Sequence, residues 1–543
     1  MRFTGVELPD LADELRKIGF VYTKPNPPDG LEFQGTLYAN GRHHPCLLII
    51  PKSLDTIPTI WLTNMAADFS ILRPHLSPTG YLCYIAHDSI QFDSFSPIGQ
   101  TLACIRRAEN VLDAILKGEM IEDLADEFHI HWPIETCLAD VQPNSGKREL
   151  AYEVDYRDRN WLVLTDDKER TSVKIKWMMG ISLDDAKRVL VARVKTIARP
   201  IPYQKDWPPK SVGQLLNWQS TLDKDCAQNI NQALTAMTRV GARKTIFCIE
   251  SPNLTYAFST TIPQLVKRKK KPVPMRAELY RQKIVPFGVY RIDEDYMARR
   301  NLPAGKTLAS LDILLVGCGT IGGYLAEMLV KAGAGTSGGR LVLVDKDSLG
   351  PQNIGRHRLG FDALFLSKVH ALGKELARSS PGAIIQGTCE DIKKLDLGKF
   401  SLVIDATGEQ ALSDWITWKY TRQAAVLTVW VEGPGLAVRG LMKSQPIHAC
   451  TRCISKPPQM ADLQVFEQPT EILLRGQGCE GLYVPFSASA SVQAAALAME
   501  MVQSWVDKTD APALRTRVLD TNRPLKTPDC SPRRTEGCPA CST

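Results

Sequence analysis

The chain has 543 residues, of which 44% are hydrophobic and 23% are charged. The length allows two to four domains, and the composition is typical of a soluble globular protein. The formal net charge of +7 is small for this length, so we expect no direct nucleic-acid partner. Fourteen cysteines without a signal-peptide pattern predict the cytoplasm, a reducing compartment in which thiols serve metals or catalysis.

Residues 1–150 are predicted to form an α+β domain. A short strand and an amphipathic helix are expected within the first 20 residues, with Asp10 as the N-cap of the helix. An extended segment that ends at Cys83 lies between the predicted strands and the later helices. The predicted strands are 44–50 and 57–62, and the predicted helices are 98–116 and 121–128.

Residues 151–285 are predicted to be a mixed α/β region, and the sequence does not show its role. The strand-like stretches are 161–164 and 245–249, and the helical stretches are 183–193 and 225–238. The region closes with a basic run from Lys267 to Lys271 that is followed by two prolines. This run is predicted to be a solvated linker, with an anion or nucleic-acid patch as the alternative.

Residues 286–543 alternate short apolar runs with helical segments, which predicts a doubly wound, mostly parallel, Rossmann-like sheet in a multidomain α/β protein. The predicted strands are 312–316, 341–344, 402–404 and 425–430. An uncharged stretch, 481–499, approaches membrane-spanning length, but it contains a proline and several polar residues. It predicts a small-residue helix packed on the sheet, and we expect no membrane partner.

A glycine-rich turn follows the first strand of this region. Gly317, Gly319 and Gly322 have the G-x-G-x-x-G spacing between a strand and a helix. The backbone can therefore approach a phosphate, which helix N–H groups and the helix dipole favour. Asp345 ends the next strand, where a carboxylate can bond ribose hydroxyls. These residues alone fit an NAD(P)-dependent oxidoreductase as well as an ATP-binding domain.

Three polar residues after the second strand favour ATP. Asn353, Arg356 and Lys368 supply an amide and two cations. A dinucleotide has no exposed triphosphate for these cations to neutralise, whereas ATP has one. Charge-assisted bonds from the cations would also stabilise the leaving pyrophosphate.

The motifs of residues 290–543 resemble the family of ubiquitin-activating enzymes and ThiF/MoeB-type adenylyltransferases of thiamine and molybdopterin biosynthesis. The resemblance implies adenylate formation with ATP and Mg²⁺. It also implies a homodimer, because an arginine of the partner subunit completes the nucleotide site in relatives, and Arg299 or Arg300 matches that arginine. The resemblance implies that Asp345 binds the ribose and that the phosphates are bound by Asn353, Arg356 and Lys368.

One departure from this family concerns magnesium. Relatives place an aspartate where this chain has Gly408. Either Asp405 or Glu409 is the expected replacement, because Mg²⁺ prefers oxygen ligands, or the ion is held in another way.

Two C-x₂-C pairs predict a structural zinc site with four thiolate ligands. The long separation between the pairs is unusual for a zinc ribbon, but it matches the adenylating family, whose zinc ties the C-terminal tail to the sheet. Cys530 falls outside both pairs. The predicted ligands are Cys450, Cys453, Cys538 and Cys541.

A further cysteine, Cys479, lies between glycines just before the predicted small-residue helix. A thiol near a helix N-terminus has a lowered pKa and is a better nucleophile. The resemblance implies that Cys479 receives the adenylated C terminus as a thioester or persulfide. The alternative is an inert buried thiol.

The segment around Cys83 resembles the active site of ubiquitin-conjugating enzymes. The run from Arg73 to Cys83 matches the family's His-Pro-Asn-(four residues)-Gly-x-(Ile/Leu)-Cys spacing, and Phe95-Ser-Pro97 takes the place of its Trp-Ser-Pro. The resemblance covers about the first 120–150 residues and implies that Cys83 carries a thioester. His75 stands where the family has asparagine, and it either donates a hydrogen bond to an oxyanion or is structural.

Both resemblances on one chain imply a fused activating and conjugating enzyme. The implied reaction adenylates the C-terminal carboxylate of a protein, moves the acyl group to Cys479 and then to Cys83, and joins it to an amine of a target protein. The domain order resembles bacterial fused enzymes of CBASS anti-phage operons, which act on a cGAS/DncV-like nucleotidyltransferase. The alternatives are a small ubiquitin-like or sulfur-carrier substrate, an NAD(P)-dependent oxidoreductase and a non-catalytic scaffold.

Overall fold

The structure is a computed structural model. It describes residues 8–26, 30–53, 56–64, 71–85, 92–93, 95–132, 135–142, 146–203, 205, 207–263, 275–302, 305–468 and 483–541. The chain divides into two compact units. The first comprises Met1–Cys137, Leu150–Leu162 and Lys187–Tyr290, and the second comprises Leu138–Glu149, Val163–Ala186 and Arg291–Thr543.

The N-terminal part combines an antiparallel sheet with helices, the α+β arrangement that its sequence predicts. The helix predicted at 121–128 is wrong, because a 3₁₀ turn occupies Ile121–Ala125 and an α-helix begins only at Phe128. The strands, in the order β1-β2-β3-β4, are Val21–Asn26, Gly30–Ala39, Arg42–Pro51 and Thr59–Leu62. The helices are α1 (Leu8–Lys17), α2 (Pro97–Lys117) and α3 (Phe128–His131), with a 3₁₀ turn at Ile121–Ala125. The prediction that Asp10 is an N-cap is wrong, because α1 begins at Leu8 and Asp10 lies in its first turn, where the helix dipole favours a carboxylate.

Seven strands of the middle part form a closed barrel in the order β10-β11-β5-β7-β6-β8-β9. Strands β5 to β11 are Glu135–Asp140, Leu150–Tyr156, Arg159–Thr165, Lys187–Lys195, Lys244–Glu250, Thr255–Thr261 and Ile284–Arg291. Helices α4 to α8 are Lys168–Met179, Val212–Leu222, Lys224–Arg239, Met275–Arg281 and Glu294–Arg299. The predicted strands 161–164 and 245–249 and the helix at 225–238 are confirmed. The basic run Lys267–Lys271 lies outside the described residues.

The helix predicted at 183–193 is wrong, because strand β8 covers most of that stretch. Strand β8 pairs with β6 on one edge and with β9 on the other, so its backbone groups are bonded to two neighbours. Val189 and Val194 are buried, and β-branched side chains suit a pleated surface. Strand pairing therefore overrides the helical spacing of the apolar residues.

The C-terminal part is a seven-stranded sheet in the order β14-β13-β12-β15-β16-β17-β18. Strands β12 to β16 are parallel, and β17 and β18 are antiparallel to their neighbours. Strands β12 to β18 are Ile313–Val316, Leu341–Val344, Ile385–Thr388, Leu402–Asp405, Ala425–Glu432, Ala437–Lys443 and Leu514–Val518. Helices α9 to α14 are Thr320–Lys331, Lys368–Ser379, Gln410–Tyr420, Thr451–Ile454, Gln459–Asp462 and Ala488–Asp507. The predicted doubly wound sheet is confirmed.

Helices cover both faces of this sheet, which explains its continuous apolar strands. Ile313 and Leu315 pack in one core with α9 and α14, whereas Leu314 and Val316 pack in a second core with α11. Strand β12 is bonded to β13 on one side and to β15 on the other. The chain order changes direction there, so a crevice opens at the carboxyl ends of β12 and β15, the usual ligand site in such folds.

Helix α14 confirms the small-residue helix that the uncharged stretch predicts. Its Ala494, Ala498 and Met501 are buried in the core formed with the sheet. Among the described residues, every helix is too short or too polar to cross a membrane.

Candidate functional sites

The glycine-rich turn between β12 and α9 depends on two glycines for its shape and leaves space at the third. Gly317 has φ +89°, and a Cβ atom there would lie 2.9 Å from the backbone of Ala406. A Cβ atom at Gly322 would lie 1.9 Å from the carbonyl oxygen of Gly317. At Gly319, which caps α9, a Cβ atom would have no neighbour within 4 Å. The turn therefore presents open space in front of the helix N-terminus, where an anion is favoured.

A cavity of about 510 Å³ opens at this turn. Its volume lies in the range of small-molecule sites. Of the predicted phosphate ligands, Asn353 and Arg356 line the cavity, and Lys368 does not. The lining residues used below are Gly319, Asn353, Arg356, Gly408, Tyr483 and Phe486.

The guanidinium of Arg356 lies against aromatic rings inside the cavity. Its central carbon is 4.4 Å from the ring centre of Phe486 and 5.5 Å from that of Tyr483. Its buried Nε has no hydrogen-bond partner among the described residues, and burial lowers its pKa. Because cation–π contacts replace little of the hydration that this cation has lost, the cavity favours an anion beside Arg356.

Asp345 and Lys368 lie behind the glycine turn. The Oδ2 atom of Asp345 accepts the amide of Cys318 at 2.8 Å, and its Oδ1 atom accepts the amide of Asp347. The ammonium of Lys368 is 3.1 Å from Asp347. In this conformation Oδ2 of Asp345 supports the glycine turn, Oδ1 supports the loop that follows β13, and Lys368 has a carboxylate partner.

Sequence reasoning missed His357, which also supports the turn. This buried residue donates from Nε2 to the carbonyl of Cys318 at 2.9 Å, while its Nδ1 accepts the amide of Leu359 at 3.0 Å. Burial lowers its pKa, and the neutral ring has the one donor and the one acceptor that these two bonds require. Its position directly after Arg356 was the one available signal.

The two predicted magnesium ligands differ in their exposure. Asp405 is fully buried, and its oxygens accept bonds from Thr407 and Ser413. Burial raises the pKa of Asp405. Glu409 is exposed beside Gly408, which lines the cavity. The magnesium ligand stays a prediction: neither carboxylate lines the cavity, and of the two only Glu409 is exposed.

The two candidate arginines at the end of α8 do not line the cavity. Both are exposed, with Arg299 3.0 Å from Asp295 and Arg300 3.4 Å from the hydroxyl of Tyr296. Their role in a partner subunit's site stays a prediction.

The four predicted zinc ligands meet at one buried point. Their sulfur atoms all lie within 4.8 Å of one another. The measured sulfur–sulfur distances are 3.6 Å for Cys450–Cys453, 3.8 Å for Cys450–Cys538 and 3.6 Å for Cys453–Cys541. Four sulfurs at about 2.3 Å from a tetrahedral zinc ion lie about 3.8 Å apart, so this cluster could hold zinc. Such an ion would tie the C-terminal tail to α12.

Cys479, the predicted acceptor thiol of the activating half, lies outside the described residues. The helix expected after it is present as α14, and the Ser487 hydroxyl accepts the Ala490 amide at its N-terminus.

The thiol of Cys83 is half-buried at the end of a tight loop. The Cys83 amide donates to the carbonyl of His75 at 2.8 Å. Gly80 is required in the loop because its φ is +95° and a Cβ atom there would lie 2.2 Å from the carbonyl oxygen of Leu62. Burial, followed by the charge of Glu127, raises the pKa of Cys83.

Both ring nitrogens of His75 face carboxylates that the sequence did not single out. Nδ1 is 2.8 Å from Glu127, and Nε2 is 3.1 Å from Asp123. The bond to Glu127 is the main cause that raises the pKa of His75. Burial acts to raise the pKa of Glu127, but bonds from His131 and His75 outweigh it and lower that pKa to about 2. In this arrangement the two carboxylates hold the His75 ring as a structural cation, so its N–H groups are not free to donate to an oxyanion.

Comparisons with known proteins give two family matches, one in each half of the chain. The sequence models of the ThiF family and of Prokaryotic E2 family B match residues 296–540 and 9–139. The chain is 43% identical over 500 residues to the ATP-dependent ubiquitin transferase-like protein Cap2 of Pseudomonas aeruginosa, covering 92% of each chain. It is 25% identical over 522 residues to the protein of that name from Vibrio cholerae, covering 87% of this chain and 86% of the relative.

Among solved structures, the crystal structure of E. coli MccB with ATP is similar to 46% of this chain and 68% of that chain, with 15% identity and a TM-score of 0.34. The two family matches and the Pseudomonas relative confirm both halves of the predicted resemblance. The ThiF match disfavours the NAD(P)-dependent alternative.

Two glycine substitutions should separate folding from nucleotide binding. Gly322→Ala forces a backbone clash and should lower the free energy of unfolding by several kcal/mol. Gly319→Ala meets no neighbour, so it should change stability by no more than about 0.5 kcal/mol and weaken ATP binding at least about tenfold by occupying the phosphate space. Thermal unfolding and ATP calorimetry measure the two effects, with Gly373→Ala in α10 as the control. Wild-type ATP affinity in Gly319→Ala would contradict this placement of the phosphates.

Loss of one cluster thiol should release the metal. Cys538→Ser should reduce bound zinc from about one ion per chain to near zero and destabilise the C-terminal tail, because three ligands hold zinc far more weakly than four. Elemental analysis and thermal unfolding measure these effects. Cys530→Ser, outside the cluster, should retain its zinc, and equal zinc contents in both variants would refute the four-thiol site.

The charge of His75 should make stability depend on pH. Because its pKa is raised in the folded state, its contribution is complete below the ordinary histidine pKa and is lost as the pH rises through the folded value. Glu127, with a pKa of about 2, stays ionised throughout. The difference in unfolding free energy between wild type and His75→Gln should therefore be largest below the ordinary histidine pKa of about 6.5 and shrink as the pH rises above it. Urea titrations measure it, His129→Gln on α3 is the control, and a difference that grows with pH contradicts the charge pair.

Proposed function

Because the chain belongs to the family of ATP-dependent ubiquitin transferase-like proteins, we propose that it activates the C-terminal carboxylate of a protein with ATP. It then passes the acyl group through two of its own cysteines to an amine. The observation that carries the first step is the cavity at the glycine turn, where Gly319 leaves open space and Arg356 has an unpartnered Nε among the described residues.

The adenylation step uses this cavity. A carboxylate oxygen of the substrate attacks the α-phosphorus of ATP, and pyrophosphate leaves with the bonding electrons. The N-terminus of α9 and the Arg356 guanidinium stabilise the negative charge that accumulates on the phosphates, and Asn353 lies beside them. Magnesium would supply further charge neutralisation, and Glu409, exposed beside Gly408, is the carboxylate proposed to hold it.

Two attacks by cysteine thiolates follow adenylation. The thiolate of Cys479 attacks the carbonyl carbon of the acyl adenylate, and AMP leaves. The thiolate of Cys83 then attacks the resulting thioester, and the Cys479 thiolate leaves. An amine of the target finally attacks the thioester at Cys83. An amide bond forms, and Cys83 leaves and regains its proton as a thiol. Because burial raises the pKa of Cys83, the acyl group is held by a more basic thiol, which is a poorer leaving group toward water.

The proposed protein substrate is a cGAS/DncV-like nucleotidyltransferase, and the proposed setting is cytoplasmic CBASS anti-phage defence. The support is the resemblance of this domain order to the bacterial fused enzymes of those operons. The proposed assembly is a homodimer in which Arg299 or Arg300 enters the partner subunit's cavity. Their exposure at the end of α8 is compatible with that role.

Two cysteine variants test the relay with ATP and a cGAS/DncV-like nucleotidyltransferase as the protein substrate. Cys479→Ala should keep ATP–pyrophosphate exchange but form no reducible adduct at either thiol. Cys83→Ala should keep exchange and accumulate a reducible adduct at Cys479, because the acyl group has no further acceptor. Non-reducing gels and peptide mass spectrometry identify the adducts.

The control for the relay is Cys389→Ala, which removes an exposed thiol outside both proposed acyl sites and should conjugate like wild type. An adduct at Cys83 in the Cys479→Ala variant would show that the acyl group bypasses Cys479. No adduct in the wild type would reject the proposed function.

A further inference from the structure

The loop of Cys83 is held by a carboxylate that lies far along the chain. The backbone amide of His75 donates to Glu127, with both carboxylate oxygens at 3.2 Å, and the ring Nδ1 is 2.8 Å from the same group. The carbonyl of His75 accepts the amide of Cys83 at 2.8 Å. A single residue, His75, therefore links Glu127 to the backbone of Cys83 through hydrogen bonds.

The backbone of His75 needs this support. Its φ of +57° lies in the left-handed region, which is strained for a residue with a Cβ atom. The same conformation directs the His75 amide to Glu127 and its carbonyl to Cys83. Glu127 can accept hydrogen bonds from both the amide and the ring of His75 only in this conformation. These bonds offset the strain, so the carboxylate selects one arrangement of the loop.

Glu127 is itself fixed by an aromatic cluster that involves the middle part of the chain. The cluster comprises Phe128, Trp132, Trp207, Trp218 and Tyr256. Phe128, the first residue of α3, directly follows Glu127, and Trp132 is the C-cap of that helix. Both side chains are buried against the other three rings.

Two indole N–H groups anchor α3 at its backbone and at its C-terminal side. Trp132 donates to the carbonyl of Ala257 in β10 at 3.1 Å, and Trp207 donates to the carbonyl of His131 at 3.0 Å. A four-residue helix has no stability of its own. The position of Glu127 therefore depends on this packing.

We propose that Glu127 is a positioning residue that holds the Cys83 loop in its acyl-accepting conformation, and that the aromatic cluster gives the middle region its role as the support of Glu127. The proposal deepens the proposed function, because it rests on Cys83 as the acyl carrier. Charge adds to the geometry, since Glu127 stays ionised and faces Cys83, His75 and His131.

The test is the alkylation rate of Cys83 by iodoacetamide in the full-length protein, measured by peptide mass spectrometry at one pH. Glu127→Gln keeps the shape of the side chain but cannot accept hydrogen bonds at both ends. It should raise the rate about three- to tenfold, because the loop opens more often and the thiolate is no longer repelled by a carboxylate. The matched control, Glu122→Gln, removes an exposed carboxylate from the adjacent 3₁₀ turn and should leave the rate unchanged.

A second substitution distinguishes positioning from a general loss of stability. His75→Asn in the Glu127→Gln background replaces the cation with an amide that tolerates the left-handed conformation and can bond to glutamine. The double variant should return the alkylation rate toward wild type. Asp123→Asn affects only the ring contact of His75, so it should raise the alkylation rate of Cys83 less than Glu127→Gln does. This variant provides the test if Glu127→Gln fails to fold.

These measurements need neither ATP nor a protein substrate, so they stand apart from the relay itself. Glu127→Gln with a Cys83 rate within about twofold of wild type would overturn the positioning role, as would an equal rise in Glu122→Gln. In the conjugation assay, Glu127→Gln should still form the Cys479 adduct and should slow the adduct at Cys83 about tenfold or more. Unchanged transfer to Cys83 would also overturn the proposal.

Discussion

The close approach of α9 to the end of β12 is the constraint on which the activating half depends. Gly322 lies so near the carbonyl oxygen of Gly317 that any side chain would separate the helix from the strand. This contact brings the helix N-terminus to the carboxyl ends of β12 and β15. Asp345 and His357 then brace the turn from behind through the two backbone groups of Cys318. The shape of the cavity therefore rests on backbone contacts and hydrogen bonds within the protein itself.

The two candidate sites differ in the partners of their half-buried cations, Arg356 and His75. In the cavity of the activating half, Arg356 has aromatic rings around it and no hydrogen-bond partner at Nε among the described residues, so a bound phosphate would complete its surroundings. In the conjugating half, His75 already has two carboxylate partners. The first cation is available for a substrate and the second holds the loop. This difference follows from the chemistry, since ATP brings its own negative charge and a thioester brings none.

The middle region illustrates how far tertiary contacts reach. The sequence of this region predicted a mixed α/β structure and did not show a role. The helix expected at 183–193 is strand β8, because pairing with two neighbouring strands decided the conformation of that stretch. The same region supplies aromatic rings that pack against α3. Spacing along the chain could not reveal that contact, because Phe128 and Tyr256 lie far apart in the sequence and each has the appearance of an ordinary core residue.

The sequence by itself determined the chemistry that depends on local spacing. The glycine turn, the paired cysteines, the segment of Cys83 and the doubly wound sheet are each set by residues a few positions apart, or by strand and helix periods. Only the tertiary structure decided which side chains complete each site. Glu127, Asp123 and His357 reach their partners across long stretches of chain, and carboxylates and histidines occur widely on protein surfaces without any such role. A carboxylate's function depends on what faces it, and that is fixed when the chain folds.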